Sequence, residues 1–196
     1  MSLPDSALDR RELLTPLFPD QQDWLFVTGL AGPARDGAAL TNDGANMFTM
    51  AGTMGAAVST GLGMALSAPD RSVAVICGDG ELMMNVGSLA TVASQQPANL
   101  TVVCIDNGCH GETGGQPGHT ARHTDLAKLA EACGLPSVAT VSSADEIPAA
   151  RGLIDTAPGP RFVWCRVKKG DPSKIKRNLN PAECRLRFRS AYLHGA

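Results

Sequence analysis

Two apolar runs, each stopped by glycine and a carboxylate, constrain this chain most. Ser72–Cys77 (SVAVIC) ends at Gly78-Asp79-Gly80, and Leu100–Ile105 (LTVVCI) ends at Asp106-Asn107-Gly108. Continuous β-branched and apolar runs suit central parallel strands, which are buried on both faces. Between them Leu82, Met83, Val86, Leu89, Ala90 and Ala93 fall at helical spacing, which predicts a helix over 81–95. The pair reads as a βαβ unit. In an open α/β sheet, ligands gather at the carboxyl ends of the strands, where these polar loops lie.

The rest of the chain extends the pattern. Trp24–Thr28 (WLFVT) predicts a first strand and Met47–Met50 a short one. Pro136–Val141 predicts a fourth strand and Arg161–Lys168 a fifth or sixth. Thr124 suits the N-cap of a helix over 125–133, with Gly134 as its stop. Ser143 and Glu146 form a capping-box pattern for the next helix. Strands alternating with helices and joined by short loops predict an α/β fold. Its sheet is doubly wound and mostly parallel, with helices on both faces. Residues 1–22 read as an N-terminal helix followed, before Asp20, by a Pro-punctuated lead-in, 23–168 as the main domain, and 169–196 as a basic arm.

With 196 residues the chain is long enough for one domain with a full core. A net charge of -2 gives no reason to expect nucleic acid or a membrane surface as partner. The apolar runs are too short or too broken by glycine to span a bilayer, and the first residues lack a signal-peptide core. The six cysteines include no CxxC pair, and Cys77, Cys104 and Cys165 fall in strand-like runs. Reduced core thiols in a cytoplasmic protein are the expectation.

The two loops suit a metal–diphosphate site. Asp79 offers a carboxylate and Asn107 an amide oxygen, hard donors that fit magnesium and leave positions for phosphate oxygens and water. Gly78 and Gly80 allow close backbone approach, and a helix starting near Glu81 would aim its free amides at an anion. A Walker loop is absent, and Gly78, Gly80 and Met83 do not make a dinucleotide fingerprint.

GDG followed across one βαβ unit by an Asn-containing turn resembles the signature of thiamin diphosphate enzymes. The Asp-Asn-Gly ending and the trailing TGGQPGHT are similar to the sulfopyruvate and phosphonopyruvate decarboxylase group. The resemblance covers residues 23 to 168 and implies the thiamin diphosphate-binding fold, with thiamin diphosphate and Mg2+ as cofactors. It implies Asp79, Asn107 and the main-chain carbonyl of Cys109 as metal ligands. It places Thr28-Gly29 near the diphosphate, where a strand-ending glycine is the plain alternative.

The small-residue segment 46–68 resembles the GSMG…GLG helix of the same family. Glycine costs roughly 1 kcal/mol per helical position, so a helix over 52–66 this rich in it implies close approach to a neighbour. By resemblance the backbone of Gly52 and Met54 binds the pyrimidine edge, Thr53 lies with them, and the Met54 side chain bends the cofactor; core packing is the alternative for Met54. Gly78, Gly80, Glu81, His110 and Gly111 complete the cofactor-binding set. In the loop 107–120, His110, Glu112 and His119 are the catalytic candidates, with plain exposure as the alternative. The relatives often carry an aromatic residue where His110 stands.

Arg35 reads as solvated, with a substrate-facing arginine as the alternative, and the basic arm, from Lys168 to Arg189, reads as solvated or partner-contacting, with an anionic-substrate clamp as the alternative. The family's catalytic Glu sits on a separate pyrimidine-binding domain, and residues outside the resemblance are too few to build one. The resemblance thus implies one subunit of a hetero-oligomeric lyase, a decarboxylase of small 2-oxo acids whose partner chain carries that Glu. The rivals are an acetolactate synthase-like carboligase, the thiamin-binding subunit of a 2-oxo acid:ferredoxin oxidoreductase, and a non-catalytic phosphate-binding module.

Overall fold

The structure, a computed structural model, describes residues 8–194. Its six-stranded sheet is wholly parallel. The strands are β1 (Trp24–Thr28), β2 (Met47–Thr49), β3 (Ser72–Gly78), β4 (Leu100–Asp106), β7 (Ser137–Val141) and β8 (Arg161–Arg166), in the order β2-β1-β3-β4-β8-β7. The chain leaves β1 toward one edge and β3 toward the other, so the switch point lies between them. Two residues each form β5 (Cys109–His110) and β6 (Gln116–Pro117), an antiparallel pair in the loop after β4.

The central strands are buried on both faces, and their side chains sort with period two. Leu25, Val73, Val75, Val102 and Phe162 enter one core with Ala57, Val58 and Leu62 of α3 (Ala57–Ser67). Leu89 and Val92 of α5 (Ser88–Gln95) and Leu126 and Ala130 of α6 (Leu126–Cys133) join them. Phe26, Ala74, Ile76, Val103 and Val163 enter the other core. There they meet Leu14 and Leu17 of α1 (Leu14–Leu17), Ala38 of α2 (Ala31–Thr41) and Ile147, Ala150 and Ile154 of α7 (Ile147–Thr156). The expected layers are present.

Several elements differ from the sequence reading. The helix expected over 81–95 is two helices, α4 (Asp79–Met84) and α5. Asn85 breaks it with an extended φ of -144°, its side-chain amide donates to Gly55 O (2.9 Å), and Ser88 Oγ donates to Asn85 O (2.7 Å). Such side chains offer the backbone an alternative to the helix ladder. With only six residues, α4 is also a short helix to bring to an anion. The helix expected over 52–66 begins at Ala57, because Ala51, Gly52 and Gly55 take positive φ and form a turn. Close approach does occur within α3, where a Cβ on Gly61 would overlap Val75 of the sheet.

Of the helix and lead-in expected within 1–20, residues 1–7 lie outside the described residues. The remainder is a 3-10 turn at Arg10–Glu12 and the four residues of α1, which contains Pro16. The N-cap of α6 is Asp125 rather than Thr124, its carboxylate accepting from Lys128 N (3.0 Å). The capping box of Ser143 and Glu146 is present, ahead of α7. The run expected to Lys168 leaves the sheet after Arg166, and Val167 instead pairs with Leu8.

The arm is tied to the domain. Its extended part crosses α2, with Ser173 N donating to Asp36 Oδ1 (2.9 Å) and Asn178 N to Asp43 Oδ2 (2.8 Å). Helix α8 (Pro181–His194) then buries Cys184, Phe188 and Ala191, with Phe188 against Phe48, so this face is not solvated as expected. Arg185 and Arg189 stand exposed. All six cysteines are free thiols, with Cys77, Cys104 and Cys165 buried in strands. No described helix is long and apolar enough to cross a membrane.

Candidate active site

A cavity of about 720 Å³ opens at the carboxyl ends of β1, β3 and β4. Its position follows from the switch point, where the loops after β1 and β3 diverge. Met54, Gly78, Asp79, Gly80, Glu81, Asn107, Cys109, His110, Gly111, Glu112 and His119 all line it. Met54 is 41% exposed at its rim, which departs from core packing.

Four residues of the expected set stand elsewhere. Thr28 is fully buried on the other face of β1, its methyl against Gly37 of α2, because period two puts it on the side of Phe26. Gly29 lies behind the cavity, where an added Cβ would overlap the Glu81 carboxylate. Gly52 lines a neighbouring cavity, and Thr53 is exposed in the same turn.

The loop after β4 hangs on Asp106. Its carboxylate accepts from Gly108 N (2.7 Å), Thr120 Oγ (2.8 Å) and Trp164 Nε1 (2.8 Å). Gly118 N donates to Gly108 O (2.8 Å), which folds 106–120 back over the GDG turn. A Cβ on Gly118 would stand 3.0 Å from Asp79 Oδ2, and one on Gly80 would stand 3.0 Å from His110 Nδ1. Glycine at both points lets the loop close on Asp79.

Asp79 is 4% exposed and has no cation against it among the described residues. Burial, and then the neighbouring Asp106 charge, pushes its carboxyl up to about 7. A buried carboxylate without a counter-charge is costly. A hard dication would remove that cost, and Asp79, the Asn107 amide oxygen and the Cys109 carbonyl are oxygens of the type magnesium takes. Asn107 Oδ1 accepts from Cys109 N (3.2 Å), which fixes the turn that presents both. No group of three His, Cys, Asp or Glu side chains among the described residues is arranged for a metal, as expected of a set with one carboxylate. The donor set fits the group.

Glu81 is 5% exposed and neither oxygen has a hydrogen-bond partner among the described residues. Burial pushes it to about 7; the backbone at Leu30, Gly78, Gly55 and Ala57 draws it the other way without reaching hydrogen-bond geometry. Both carboxyls are raised above their ordinary values of 3.8 and 4.5. The folded state therefore holds protons that the unfolded state has released. The stability contributed is present below the ordinary values and lost as pH rises through about 7. The unliganded chain is expected to melt at a higher temperature at pH 5 than at pH 8, read by circular dichroism. A melting temperature that rises over this interval would refute the assignment.

Sequence reading missed Arg10, Leu30 to Pro33, and Gly170 to Pro172, which also line the cavity. Arg10 is 5% exposed, and Nε donates to Asp36 Oδ2 (2.7 Å). A Cβ on Gly32 would overlap its guanidinium. The local signal was only one arginine of a charged stretch, and its partner lies 26 positions away.

A family profile described as the thiamine pyrophosphate enzyme C-terminal TPP binding domain matches residues 36–165. Phosphonopyruvate decarboxylase of Streptomyces viridochromogenes is 40% identical over 144 residues, which are 73% of this chain and 36% of that protein. Sulfopyruvate decarboxylase subunit beta of Methanothermobacter thermautotrophicus is 35% identical over 181 residues, 92% of this chain and 94% of that one. The chain thus spans 36% and 46% of two phosphonopyruvate decarboxylases that it matches, and nearly all of that beta subunit. Among solved structures, 2-oxoglutarate:ferredoxin oxidoreductase from Magnetococcus marinus superposes with a TM-score of 0.64 at 16% identity, over 86% of this chain and 63% of that one, a likeness of fold. The loops that close on Asp79 are thus those of a family: the chain belongs to the thiamine pyrophosphate enzymes, and its domain is their C-terminal, cofactor-binding one.

Proposed function

We propose that this chain is the cofactor-holding subunit of a two-subunit 2-oxo acid decarboxylase that uses thiamin diphosphate and magnesium. The observation that carries the reading is the convergence of Asp79, Asn107 and Cys109 in the cavity at the switch point. Asp79, Asn107 and the Cys109 carbonyl would hold the metal, and the metal would hold the diphosphate. Bound there, the cofactor supplies the electron sink that lets a 2-oxo acid lose carbon dioxide.

The chain's own residues bind and orient. The Met54 side chain, on a turn fixed by the positive φ of Gly52 and Gly55, stands at the rim, where it would support the cofactor. His110 covers Gly80, and Glu112 and His119 project from the same loop to meet substrate. The Glu carboxyl group that would hydrogen-bond the cofactor's pyrimidine ring would come from a partner chain. The naming of the relative matched over 94% of its length as a subunit beta supports this. The small 2-oxo acids named in the relatives, sulfopyruvate and phosphonopyruvate, are the proposed substrate type, and the cytoplasm the proposed setting.

Carbon dioxide release from a panel of 2-oxo acids, by the chain alone and mixed with its partner, tests this. The isolated chain is expected to release none. The mixture is expected to release it only with both thiamin diphosphate and magnesium. Full activity from the chain alone would overturn the two-chain reading. Carboligated product without free aldehyde would overturn the decarboxylase reading in favour of an acetolactate synthase-like one.

A further inference from the structure

A second cavity, of about 500 Å³, lies beside the first and shares Leu30, Ala31, Arg35 and Glu112 with it. Its walls are the start of α2, the end of β2 and the turn into α8. Three guanidinium groups line it, those of Arg35, Arg177 and Arg185, against one carboxylate, Glu112, at the shared neck. None of the three guanidinium groups has a hydrogen bond or ion pair among the described residues, whereas that of the nearby Arg187 is held by Asp43.

The backbone that carries these arginines is fixed by the fold. Asp36 and Asp43 accept from the backbone of Ser173 and Asn178, which fixes the arm across α2 and brings Arg177 over Arg35. Phe188 packed on Phe48 fixes α8, and with it Arg185. The first amides of α8 are already occupied, since Asn180 Oδ1 accepts from Ala182 N (3.1 Å) and Glu183 N (3.3 Å). The positive character of the cavity therefore comes from side chains. A further recess adds Lys174 and Lys176 to Arg35 and Arg177, with no carboxylate on its walls among the described residues.

Unpaired guanidinium forks around a concave site match an oxyanion in charge and in bidentate geometry. Continuity with the first cavity says where that oxyanion comes from. We propose that Arg35, Arg177 and Arg185 form the subsite for the far anionic group of the substrate, a tetrahedral sulfonate or phosphonate, and so set specificity for dianionic 2-oxo acids. The keto acid end lies in the first cavity, and the far end passes the neck between Leu30 and Glu112. The outer lysines draw dianions toward the mouth. This inference rests on the decarboxylase reading, and the test keeps the two apart.

In the complete enzyme, kcat/KM is measured for sulfopyruvate, phosphonopyruvate and pyruvate, the last lacking the far anion. Arg177→Ala and Arg185→Ala are each expected to lower the ratio for sulfopyruvate or phosphonopyruvate against pyruvate by about 10-fold or more, as loss of a hydrogen bond to a charged group does. Lysine at the same positions is expected to restore part of the ratio. Arg189→Ala, an exposed arginine outside the cavity, is the control and is expected to leave it unchanged. An equal loss on all three substrates, or an equal effect of Arg189→Ala, would overturn the subsite. If the complete enzyme turns over none of the three, the decarboxylase reading has failed and a second readout decides the subsite. The isolated chain is titrated with methylphosphonate and with methanesulfonate by NMR, and the shifts in the chain are expected to vanish in Arg177→Ala/Arg185→Ala. Shifts that persist in that variant, or none in the native chain, would overturn the proposal.

Discussion

Replacing Asp79 by alanine is expected to abolish magnesium-dependent binding of thiamin diphosphate. In the proposed site the diphosphate would bind through the metal, and Asp79 is the only carboxylate in the ligand set. The loss should exceed the about 10- to 100-fold that follows removal of an outer-sphere partner. Without the metal, the diphosphate would also face the negative charge of Asp106, whose carboxylate lies close enough to push up the Asp79 carboxyl. Titration calorimetry with and without magnesium reads the effect. The variant should still fold, since a buried carboxyl raised to about 7 contributes nothing to stability as an ion. A native-like melting curve with no binding separates loss of a ligand from loss of structure. Binding by the alanine variant equal to that of the native chain would refute the site.

The second large effect is structural. Arg10 and Asp36 pair at 2.7 Å with side chains 6% and 2% exposed. Removing one partner of such a pair strands the other as an unpaired buried charge, which costs about 3–5 kcal/mol. Arg10→Ala is therefore expected to lower unfolding free energy by that amount in urea titrations. Replacing both residues with apolar ones of similar volume should recover much of it, because the desolvation cost leaves with the charges. A loss in Arg10→Ala below about 0.5 kcal/mol, the level of an ordinary surface change, would show that the pair is not buried as described.

Parts of the chain governed by one strong local signal were legible from sequence. Trp24–Thr28, Ser72–Gly78 and Leu100–Asp106 were read to within a residue, because a fully buried parallel strand is a continuous apolar run with an abrupt glycine or carboxylate end. The cavity was legible for the same reason, since two such ends a βαβ unit apart must lie side by side. What failed was set by contacts distant in sequence. The break at Asn85 is held by Gly55, thirty positions earlier. Helix α2 went unread because Gly32, Pro33, Asp36 and Gly37 make a poor helix by propensity. They are held instead by Arg10 beneath Gly32 and by Thr28 beneath Gly37. The glycines after Thr49 read as part of a helix because their composition is the same whether they line a turn or a packing face. Only the positive φ of Gly52 and Gly55 tells the two apart.

The cavity wall draws on residues far apart in the chain: Arg10 on one side and Gly170 to Pro172 on the other, with Asp36 gripping both Arg10 and Ser173 N. This sets an order of events during synthesis. The GDG turn and the loop after β4 leave the ribosome early and can settle against the first strands. The cavity they face has no closed rim until Pro172 and Ser173 have emerged and Asp36 has taken its second partner. A chain stalled at the end of β8, at Arg166, would hold all three proposed metal ligands behind an open wall. The capacity to retain the cofactor should therefore be gained late, in one step, as the arm swings across α2.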